Sequence, residues 1–491
     1  MCTNEPPTER AETGPAEQSA RLESEVFDCA VIGGGITGLA VAWRLLRDAP
    51  YLRVVVLESA DQAGGKIRSV ELAGHRIDAG PDAFLSRVSG AVELAEELGL
   101  ADDLVAPATG QAWLWSQDQL HRLPAGLVLG VPSDPHALGA TEILSSDALA
   151  RALASDSGAA SVGDVHLELV NGDVSVAAGI GAHLGMEVVE RLVDPLLGGI
   201  NASDCQRLSL KSASADLFAA VQQPRLMEAL RTHMVQVRGQ TGVTEDRPVF
   251  QTPSGGVHVV VDELVRTLGA TVRTNAPVQN LTRVENDWAV MTRSTTLRAR
   301  TVVLATPAAA SARLLEHVAP LITAELGAIR TASVALTLLA YPNDAVRLPP
   351  GSGMLVARAD GHLLTAASWW SQKWPHLDTG DYSVIRASTG RDGDTRFCDL
   401  TDEQLVAALH AELSEVLAIR TEPFDAVVTR WMGGFPQYDV GHTARVGRIE
   451  AMLAEEPSLA LAGASYRGIG IPACIRDANA AARQIITLLG Q

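Results

Sequence analysis

The feature that most constrains this chain is a glycine-rich turn between two apolar segments near its start. The sequence GGGITG, residues 33–38, directly follows the short apolar run 26–32. Residues 36–47 then carry apolar side chains at helical spacing, and a second apolar run, 53–57, ends at Glu58. Strand, glycine turn, helix and strand in this order predict a βαβ unit, the building block of a parallel sheet.

The glycine spacing matches the fingerprint of dinucleotide-binding sites. Gly33 permits the tight turn, Gly35 lets the backbone approach a pyrophosphate, and Gly38 allows helix and strand to pack closely. The start of the helix adds free N–H groups and partial positive charge. Glu58, at the end of the second strand, suits the two ribose hydroxyls and would repel a 2′-phosphate. This context favours a dinucleotide-binding site over glycines that only form a loop turn. It does not distinguish FAD from NAD as the dinucleotide.

Two further glycine-rich stretches favour FAD over NAD. GGKIR, residues 64–68, follows soon after the second strand, and GASYRGIGI, residues 463–471, lies close to the end of the chain. FAD binds in an extended pose, so it needs a helix start near its flavin end as well as one at its pyrophosphate. A closing helix predicted from about Ile475 to Leu489 supplies one, and a nicotinamide dehydrogenase would need neither stretch. We therefore expect FAD as the cofactor.

Length and charge restrict the remaining choices. The chain has 491 residues, too many for one compact core, so two or three domains are expected. A net charge of −19 argues against a nucleic-acid partner, because phosphate binding needs a concentrated basic surface. No apolar run reaches the roughly 18–20 residues that cross a bilayer, so no transmembrane segment is expected.

The cysteines and the first residues indicate the compartment. The five cysteines lie far apart and form no C-x-x-C pair, which fits buried thiols rather than a disulfide framework or a zinc site. We expect no metal. Residues 1–25 are polar and acidic, unlike a secretory signal or a transit peptide, and are expected to form a disordered tail. The protein is expected to be soluble and cytoplasmic.

Four further blocks carry a resemblance to a known family. They are DAGPDAFL at 78–85, RLVDPLLGGI at 191–200, ASTGR at 387–391, and FPQY at 435–438 followed by Gly441-His442. With the glycine stretches, they resemble the oxygen-dependent protoporphyrinogen and coproporphyrinogen III oxidases of haem biosynthesis, in the flavin amine-oxidase superfamily. The blocks occur in the family's order from about residue 27 to the C-terminus, and roughly 130–170 is left unmatched.

The resemblance implies an α/β fold with three parts: an FAD-binding, Rossmann-like domain of the amine-oxidase type, an inserted mixed-sheet substrate domain and a mainly helical domain. Apolar residues at helical spacing, as in 187–197, also indicate helices in the last part. The expected boundaries are 26–88, 252–312 and 452–491 for the FAD-binding domain, 89–212 for the helical domain, and 213–251 with 313–451 for the substrate-binding domain.

The matched blocks also imply which residues contact FAD. They are Gly33, Gly34, Gly35, Ile36, Thr37 and Gly38 at the pyrophosphate; Glu58 and Ser59 at the adenosine ribose; Lys66, Ala79, Gly80, Pro81 and Asp82 along the flavin; Val278 on the adenine side; Trp431 near the flavin ring; and Ile469, Gly470 and Ile471 at its pyrimidine edge. For Val278 and Trp431, simple core packing is the alternative.

Fewer residues are implied for the substrate. The loop GSGMLV resembles a family loop whose apolar side chains sandwich the tetrapyrrole, which selects Met354 and Leu355, with core filling as the alternative for Met354. Arg87 is a candidate partner for a substrate propionate, since a guanidinium matches a carboxylate, or else a solvated surface arginine. Ala112 stands where eukaryotic members carry an arginine for a propionate. This departure leaves the propionate partners open and points to the bacterial, coproporphyrin-forming type.

The activity implied by the resemblance is oxidation of coproporphyrinogen III to coproporphyrin III in three two-electron steps, with flavin N5 accepting hydride and O2 yielding H2O2. We find no Ser/His/Asp arrangement and no general base in the sequence, and we assign no catalytic residue. Protoporphyrinogen IX oxidation is the nearest alternative; a non-catalytic flavin-binding protein and an amine or carotenoid oxidoreductase are the others. A homodimer and a weak contact with another haem-pathway enzyme stay open as partners.

Overall fold

The computed structural model describes residues 21–157, 167–241, 248–377 and 379–490; within these ranges the side chains of 21–25 and 237–241 are not described. The first strand begins at Arg21, ahead of the predicted start at Val26, because its first residues pair with the beginning of a later parallel strand. The rest of the predicted tail, residues 1–20, lies outside the described residues.

The strands are numbered in chain order over the described ranges. They are β1 (Arg21–Ile32), β2 (Val54–Leu57), β3 (Ser69–Leu72), β4 (His75–Asp78), β5 (Phe84–Leu85), β6 (Leu104–Val105), β7 (Ala112–Ser116), β8 (Gln119–Arg122), β9 (Leu127–Val128), β10 (Val131–Pro132), β11 (Phe250–Pro253), β12 (Val272–Arg273), β13 (Val278–Val284), β14 (Asp287–Thr292), β15 (Thr295–Leu304), β16 (Thr331–Pro342), β17 (Gly353–Val356), β18 (Leu364–Trp369), β19 (Tyr382–Thr389), β20 (Asp425–Pro436) and β21 (Leu459–Leu461).

The helices are numbered in the same way, and a π-helical segment, Val189–Gly198, joins α6 to α7. They are α1 (Ile36–Asp48), α2 (Ala91–Glu97), α3 (Pro135–Gly139), α4 (Ser146–Ser157), α5 (Val176–Leu184), α6 (Met186–Val188), α7 (Gly199–Asn201), α8 (Leu210–Ala213), α9 (Ala215–Ala220), α10 (Leu226–Thr241), α11 (His258–Leu268), α12 (Ala308–Leu315), α13 (Pro320–Gly327), α14 (Trp370–Lys373), α15 (Asp402–Leu417), α16 (His442–Leu453) and α17 (Ile471–Leu489).

The predicted βαβ unit forms the centre of a seven-stranded sheet. Strands β12, β2, β1, β15 and β21 run parallel in that order, and β13 and β14 extend the same sheet as an antiparallel meander from β15. Helices α1, α11 and α17 cover one face, and α12, α13 and α16 cover the other. Burial on both faces explains why β1 and β2 are apolar runs without alternation.

The carboxyl ends of four parallel strands lie level at one edge of this sheet. Ile32 of β1 pairs with Leu57 of β2 and with Leu304 of β15, which pairs with Leu461 of β21. The segments that follow these strands therefore meet at a single edge. In open parallel sheets, ligands bind in the crevice at this edge.

A second seven-stranded sheet has the order β20-β16-β19-β18-β17-β7-β8. Its neighbours are antiparallel except for β17 and β7, which are parallel. Helix α15 packs on one face through Leu405, Leu409 and Leu413. This is the mixed sheet that the sequence predicts for the substrate domain, but two of its strands come from the range expected to be mainly helical.

Helices α3 to α6, the π-helical segment and helices α8 to α10 share a separate apolar core. Leu217 of α9 and Leu226 and Leu230 of α10 are buried in it. These helices therefore pack with the helical region, although 213–251 is expected in the substrate-binding domain. No helix of the described ranges is long and apolar enough to span a bilayer.

The β7–β8 hairpin accounts for part of the departure from the predicted helical range. Its two-residue turn is Gln117-Asp118, and both residues have positive φ, +54° and +58°. Turns of this kind are usually marked by Asn-Gly or Asp-Gly, because glycine adopts positive φ without strain. Neither residue here is glycine, so the sequence carries no hairpin signal at this position.

Candidate active site

The fingerprint turn lies at the edge where the parallel strands end. Gly33 has a φ of +104°, and a Cβ on it would lie 2.8 Å from the Ala305 carbonyl oxygen. A Cβ on Gly38 would lie only 1.9 Å from the Gly33 carbonyl oxygen, because α1 packs directly against the turn. Both positions therefore exclude a side chain. Helix α1 begins after Gly35 with no side-chain cap, as an anion-binding helix start requires.

Glu58, directly after β2, is fixed beside this turn. Its Oε2 accepts a hydrogen bond from the Gly34 N–H at 2.7 Å. Its Oε1 accepts from the Ala60 N–H at 2.8 Å and from the Ser59 hydroxyl at 3.0 Å. The side chain is only 9% exposed. The predicted ribose-binding carboxylate is thus held at one orientation next to the predicted pyrophosphate turn.

Val278 lies on the same side of the site. The Ala276 N–H donates to the Glu58 carbonyl oxygen at 2.8 Å, which places the start of β13 beside the predicted ribose position. The Val278 side chain is half-buried and packs against the core on the face that α12 covers. The position of Val278 is therefore compatible with contact to the adenine and also with simple core packing.

The glycine pair of the GGKIR stretch forms the opposite wall of a groove. The Gly64 N–H donates to the Gly34 carbonyl oxygen at 2.8 Å. A Cβ on Gly35 would meet only the Gly65 Cα, at 3.9 Å, so the space in front of the α1 N-terminus is bordered by two glycines. A groove lined by backbone at a helix start suits a pyrophosphate.

The C-terminal glycine stretch closes over the start of α1. A Cβ on Gly463 would lie 3.5 Å from the Thr37 hydroxyl. The Gly463 N–H donates to Asp477 of α17 at 2.8 Å, and the Gly468 N–H donates to the Tyr438 hydroxyl at 2.9 Å. Asp477 and Tyr438, neither of which we predicted, thus hold this segment in place.

The three residues predicted at the pyrimidine edge follow at the start of α17. Ile469 packs against the core of the helical region, and Ile471 packs against the core between α1 and the first sheet. Gly470 lies between them and is exposed. These residues therefore lie where the first sheet and its helices meet the helical region. Their contact with a flavin stays a prediction.

Lys66, Ala79 and Trp431 come together from three distant parts of the chain. The Trp431 Nε1–H donates to the Ala79 carbonyl oxygen at 3.3 Å. A Cβ on Gly434 would lie 3.3 Å from Cε of Lys66, which places this lysine beside the same strand, β20. Burial lowers the pKa of the Lys66 ammonium. The predicted flavin-lining residues 66 and 79 thus lie next to the predicted flavin-facing tryptophan.

Asp82 is held between two cations. Its Oδ2 lies 2.8 Å from Lys373 Nζ and 2.7 Å from Arg386 Nη1, and it accepts from Trp374 Nε1 at 3.1 Å. Burial acts to raise the pKa of Asp82, but the charges of Lys373 and Arg386 outweigh it, so the pKa lies well below its ordinary value. Arg386 also donates to the Gly80 carbonyl oxygen. The loop 80–82 is therefore fixed to the second sheet.

A cavity of about 280 Å³ lies between this loop and the second sheet. Its lining residues are Asp82, Ala112, Leu336, Ser352, Gly353, Met354, Leu355, Ala366, Ala367, Ser368, Lys373, Arg386 and Ser388. Met354 is buried in the sheet and Leu355 is half-buried against the helical region, so both predicted substrate residues border the cavity. Arg87 is not among the described residues that line it; Arg87 is exposed, next to the β5–β11 pair.

The sequence analysis does not select the two cations of the cavity, Lys373 and Arg386. Lys373 and Arg386 lie far from Asp82 in the chain, and no motif connects them. One signal is present: Arg386 lies in β19 between the buried apolar residues Ile385 and Ala387, and is itself buried. A charged residue in such a place is rare unless it is paired.

The geometry agrees with what comparison to known proteins finds. A family model described as flavin containing amine oxidoreductase matches residues 36–486. The chain belongs to that family. It is therefore an oxidoreductase, and a flavin is the cofactor that the glycine-lined groove suits.

Individual relatives extend the match over nearly the whole chain. The coproporphyrinogen III oxidase of Bacillus subtilis is 33% identical over 94% of this chain and 98% of its own length. The coproporphyrinogen III oxidase of Staphylococcus aureus is 29% identical over 94% and 99%. The solved structure of a provisionally named protoporphyrinogen oxidase from Exiguobacterium sp. 255-15 is 28% identical, covers 96% of this chain and 100% of its own, and superposes with a TM-score of 0.82. The predicted family and the α/β fold of amine-oxidase type are confirmed.

Proposed function

We propose that this protein oxidises coproporphyrinogen III to coproporphyrin III with FAD as cofactor and O2 as electron acceptor, as a step of haem biosynthesis. The observation that carries the proposal is the match at 33% identity, over 94% of this chain, to an enzyme named for this substrate. The cavity beside the candidate flavin groove supports it, since Leu336, Met354 and Leu355 give it apolar walls.

The residues that would hold FAD follow from the groove described above. Gly33 to Gly38 would face the pyrophosphate, with Glu58 at the adenosine ribose. Gly64 and Gly65 would border the pyrophosphate with backbone alone, and Trp431 lies next to Ala79 at the predicted flavin end. FAD rather than a shorter flavin is inferred because Glu58 offers its carboxylate to a ribose that only a dinucleotide supplies.

When bound, FAD supplies a two-electron acceptor that O2 reoxidises. Each step removes two electrons and two protons from the substrate, so three O2 become three H2O2 while the macrocycle becomes aromatic. The chain's own residues bind and orient the substrate and exclude water from the cavity. Asp82 is a weak base because Lys373 and Arg386 stabilise its ionised form, so we assign it a positioning role.

The volume of the cavity limits what it holds. At about 280 Å³ it lies just below the range of roughly 300–1,000 Å³ that is typical of small-molecule sites. A tetrapyrrole would therefore extend beyond it. The cytoplasmic location, the homodimer and the contact with another haem-pathway enzyme stay predictions.

Release of H2O2 with two substrates tests the proposal. We expect the flavin-loaded protein to release peroxide with coproporphyrinogen III at a higher kcat/KM than with protoporphyrinogen IX. A preference for protoporphyrinogen IX would assign the alternative activity. Peroxide release with neither porphyrinogen, from a protein that retains its flavin, would support a non-catalytic flavin-binding protein instead.

Replacing Glu58 with alanine is expected to weaken FAD binding. The change leaves the buried Gly34 N–H without its acceptor and removes the ribose partner, so we expect the Kd for FAD to rise about 10- to 100-fold. Flavin fluorescence titration of the apoprotein measures this. The matched control is Glu71→Ala, since Glu71 is exposed on β3 and lies outside the groove. An unchanged Kd for the Glu58 variant would contradict the assigned ribose position.

A further inference from the structure

One row of residues crosses the floor of the cavity. Ala112 of β7 pairs with Gly353 of β17, Gly353 pairs with Ser368 of β18, and Ser368 pairs with Arg386 of β19. Directly paired residues project from the same face of a sheet, so these four line one side together. All four border the cavity. The row is small and uncharged at one end and cationic at the other.

The cationic end carries more positive than negative charge. Arg386 and Lys373 both contact Asp82, the single acidic residue among those that line the cavity. Two cations and one carboxylate leave one positive charge uncompensated beside an apolar space. Arg386 is only 6% exposed, so water screens this charge weakly.

Two polar atoms at this end have no hydrogen-bond partner in the described part of the chain. They are Nε of Arg386 and the hydroxyl of Ser368, and both are buried. Buried polar atoms are nearly always satisfied, and an orphan donor costs free energy unless a ligand completes it. A carboxylate suits both, because it accepts from a guanidinium N–H and from a hydroxyl at once.

The row also separates this end from Ala112. Three strand spacings of about 4.8 Å each place the backbone of Arg386 roughly 14 Å from that of Ala112. Gly353 lies between them at a position that requires glycine, since its φ is +152° and a Cβ there would lie 2.2 Å from the Ala367 carbonyl oxygen of the neighbouring strand. The cationic end of the cavity therefore lies opposite Ala112 in this row.

We propose that Arg386, Lys373 and Ser368 form a carboxylate-binding subsite that receives one propionate of the tetrapyrrole. This proposal rests on the proposed function, because the propionate belongs to the porphyrinogen substrate proposed there. Lys373 and Arg386 attract the carboxylate, Arg386 and Ser368 donate the hydrogen bonds, and Asp82 keeps the two cations in place.

Binding of coproporphyrin III and of its tetramethyl ester, followed by porphyrin fluorescence, tests the subsite. The ester removes the charge from the ligand and leaves the macrocycle unchanged. We expect Lys373→Gln to weaken binding of the acid about tenfold or more and Ser368→Ala about three- to tenfold, with binding of the ester unchanged in both. Ser368→Ala keeps every ionic contact, so it reports on the subsite even if Lys373→Gln disturbs the loop. Lys211→Gln, at an exposed lysine outside the cavity, is the matched control for net charge.

The outcomes separate the subsite from the proposed function. If the wild-type protein oxidises coproporphyrinogen III but both variants bind acid and ester as it does, or lose both ligands equally, the subsite is wrong and the function stands. If the flavin-loaded wild type binds neither ligand and oxidises no porphyrinogen, the function is wrong and the subsite falls with it. Flavin content of each variant shows that the 80–82 loop is intact.

Discussion

The Gly38→Ala variant is expected to be purified without flavin. Its Cβ would lie 1.9 Å from the Gly33 carbonyl oxygen and 3.1 Å from the Gly33 carbonyl carbon, both backbone atoms, so the turn and α1 must separate. Moving them displaces the N–H groups that would face the pyrophosphate. We expect the flavin-to-protein ratio, read from the visible and ultraviolet absorbance, to fall below about a tenth of the wild-type ratio, because misplacing several ligand contacts costs more than one hydrogen bond each.

Gly447→Ala is the matched control for that change. Gly447 is exposed within α16, and a Cβ there would meet nothing within 4 Å. Alanine is favoured over glycine within a helix by about 1 kcal/mol, so this variant should bind flavin as the wild type does and be slightly more stable. Far-ultraviolet circular dichroism of both variants separates loss of flavin from loss of fold. A folded Gly38→Ala protein with full flavin content would contradict the assigned pyrophosphate position.

The Asp82→Asn variant is expected to have a lower free energy of unfolding, because Lys373 and Arg386 lose their counter-charge. Lys373 and Arg386 would remain side by side, largely buried, without the carboxylate that compensates them. Removing one member of a buried ion pair costs about 3–5 kcal/mol, since it leaves uncompensated charge in a poorly solvated place. Urea unfolding of the flavin-loaded protein measures this free energy. Asp262→Asn is the control: its pair with Arg76 is about half exposed on both sides and should contribute no more than about 1 kcal/mol.

The contribution of Asp82 should also depend on pH in a defined direction. Its pKa in the folded protein lies below that of an unfolded aspartate, about 3.9, so the unfolded state binds protons first as pH falls. The stability difference between wild type and Asp82→Asn is therefore expected to be constant above about pH 5 and to shrink below about pH 4. A difference that instead grows on acidification would contradict the ionised state assigned to Asp82.

The sequence alone predicts the βαβ unit at the centre of the first sheet and the contact between the fingerprint turn and Glu58. The fingerprint, the helix and Glu58 lie within a single βαβ unit, so the local pattern determines how they meet, and the hydrogen bond from Gly34 to Glu58 confirms that they do. The sequence predicts that the closing helix begins at about Ile475, and in the structure it begins at Ile471. Pro472 in its first turn is compatible with a helix start there.

The part of the site around the cavity depends on contacts between segments that are distant in the sequence. Asp82 meets Lys373 and Arg386 only because the second sheet packs against the 80–82 loop, and no local spacing encodes that packing. The β7–β8 hairpin was likewise unpredicted, because Gln117 and Asp118 adopt positive φ without a glycine signal. The assigned roles of the individual residues toward FAD and substrate stay predictions.

Anaerobic mixing of the purified flavoprotein with coproporphyrinogen III, followed through the flavin absorbance, is the most direct test of the proposed activity. We expect the oxidised flavin band to bleach, and to return with formation of H2O2 when O2 is admitted. A protein that is colourless after gentle purification and takes up no FAD would contradict this, as would a bound flavin that stays oxidised with every porphyrinogen supplied.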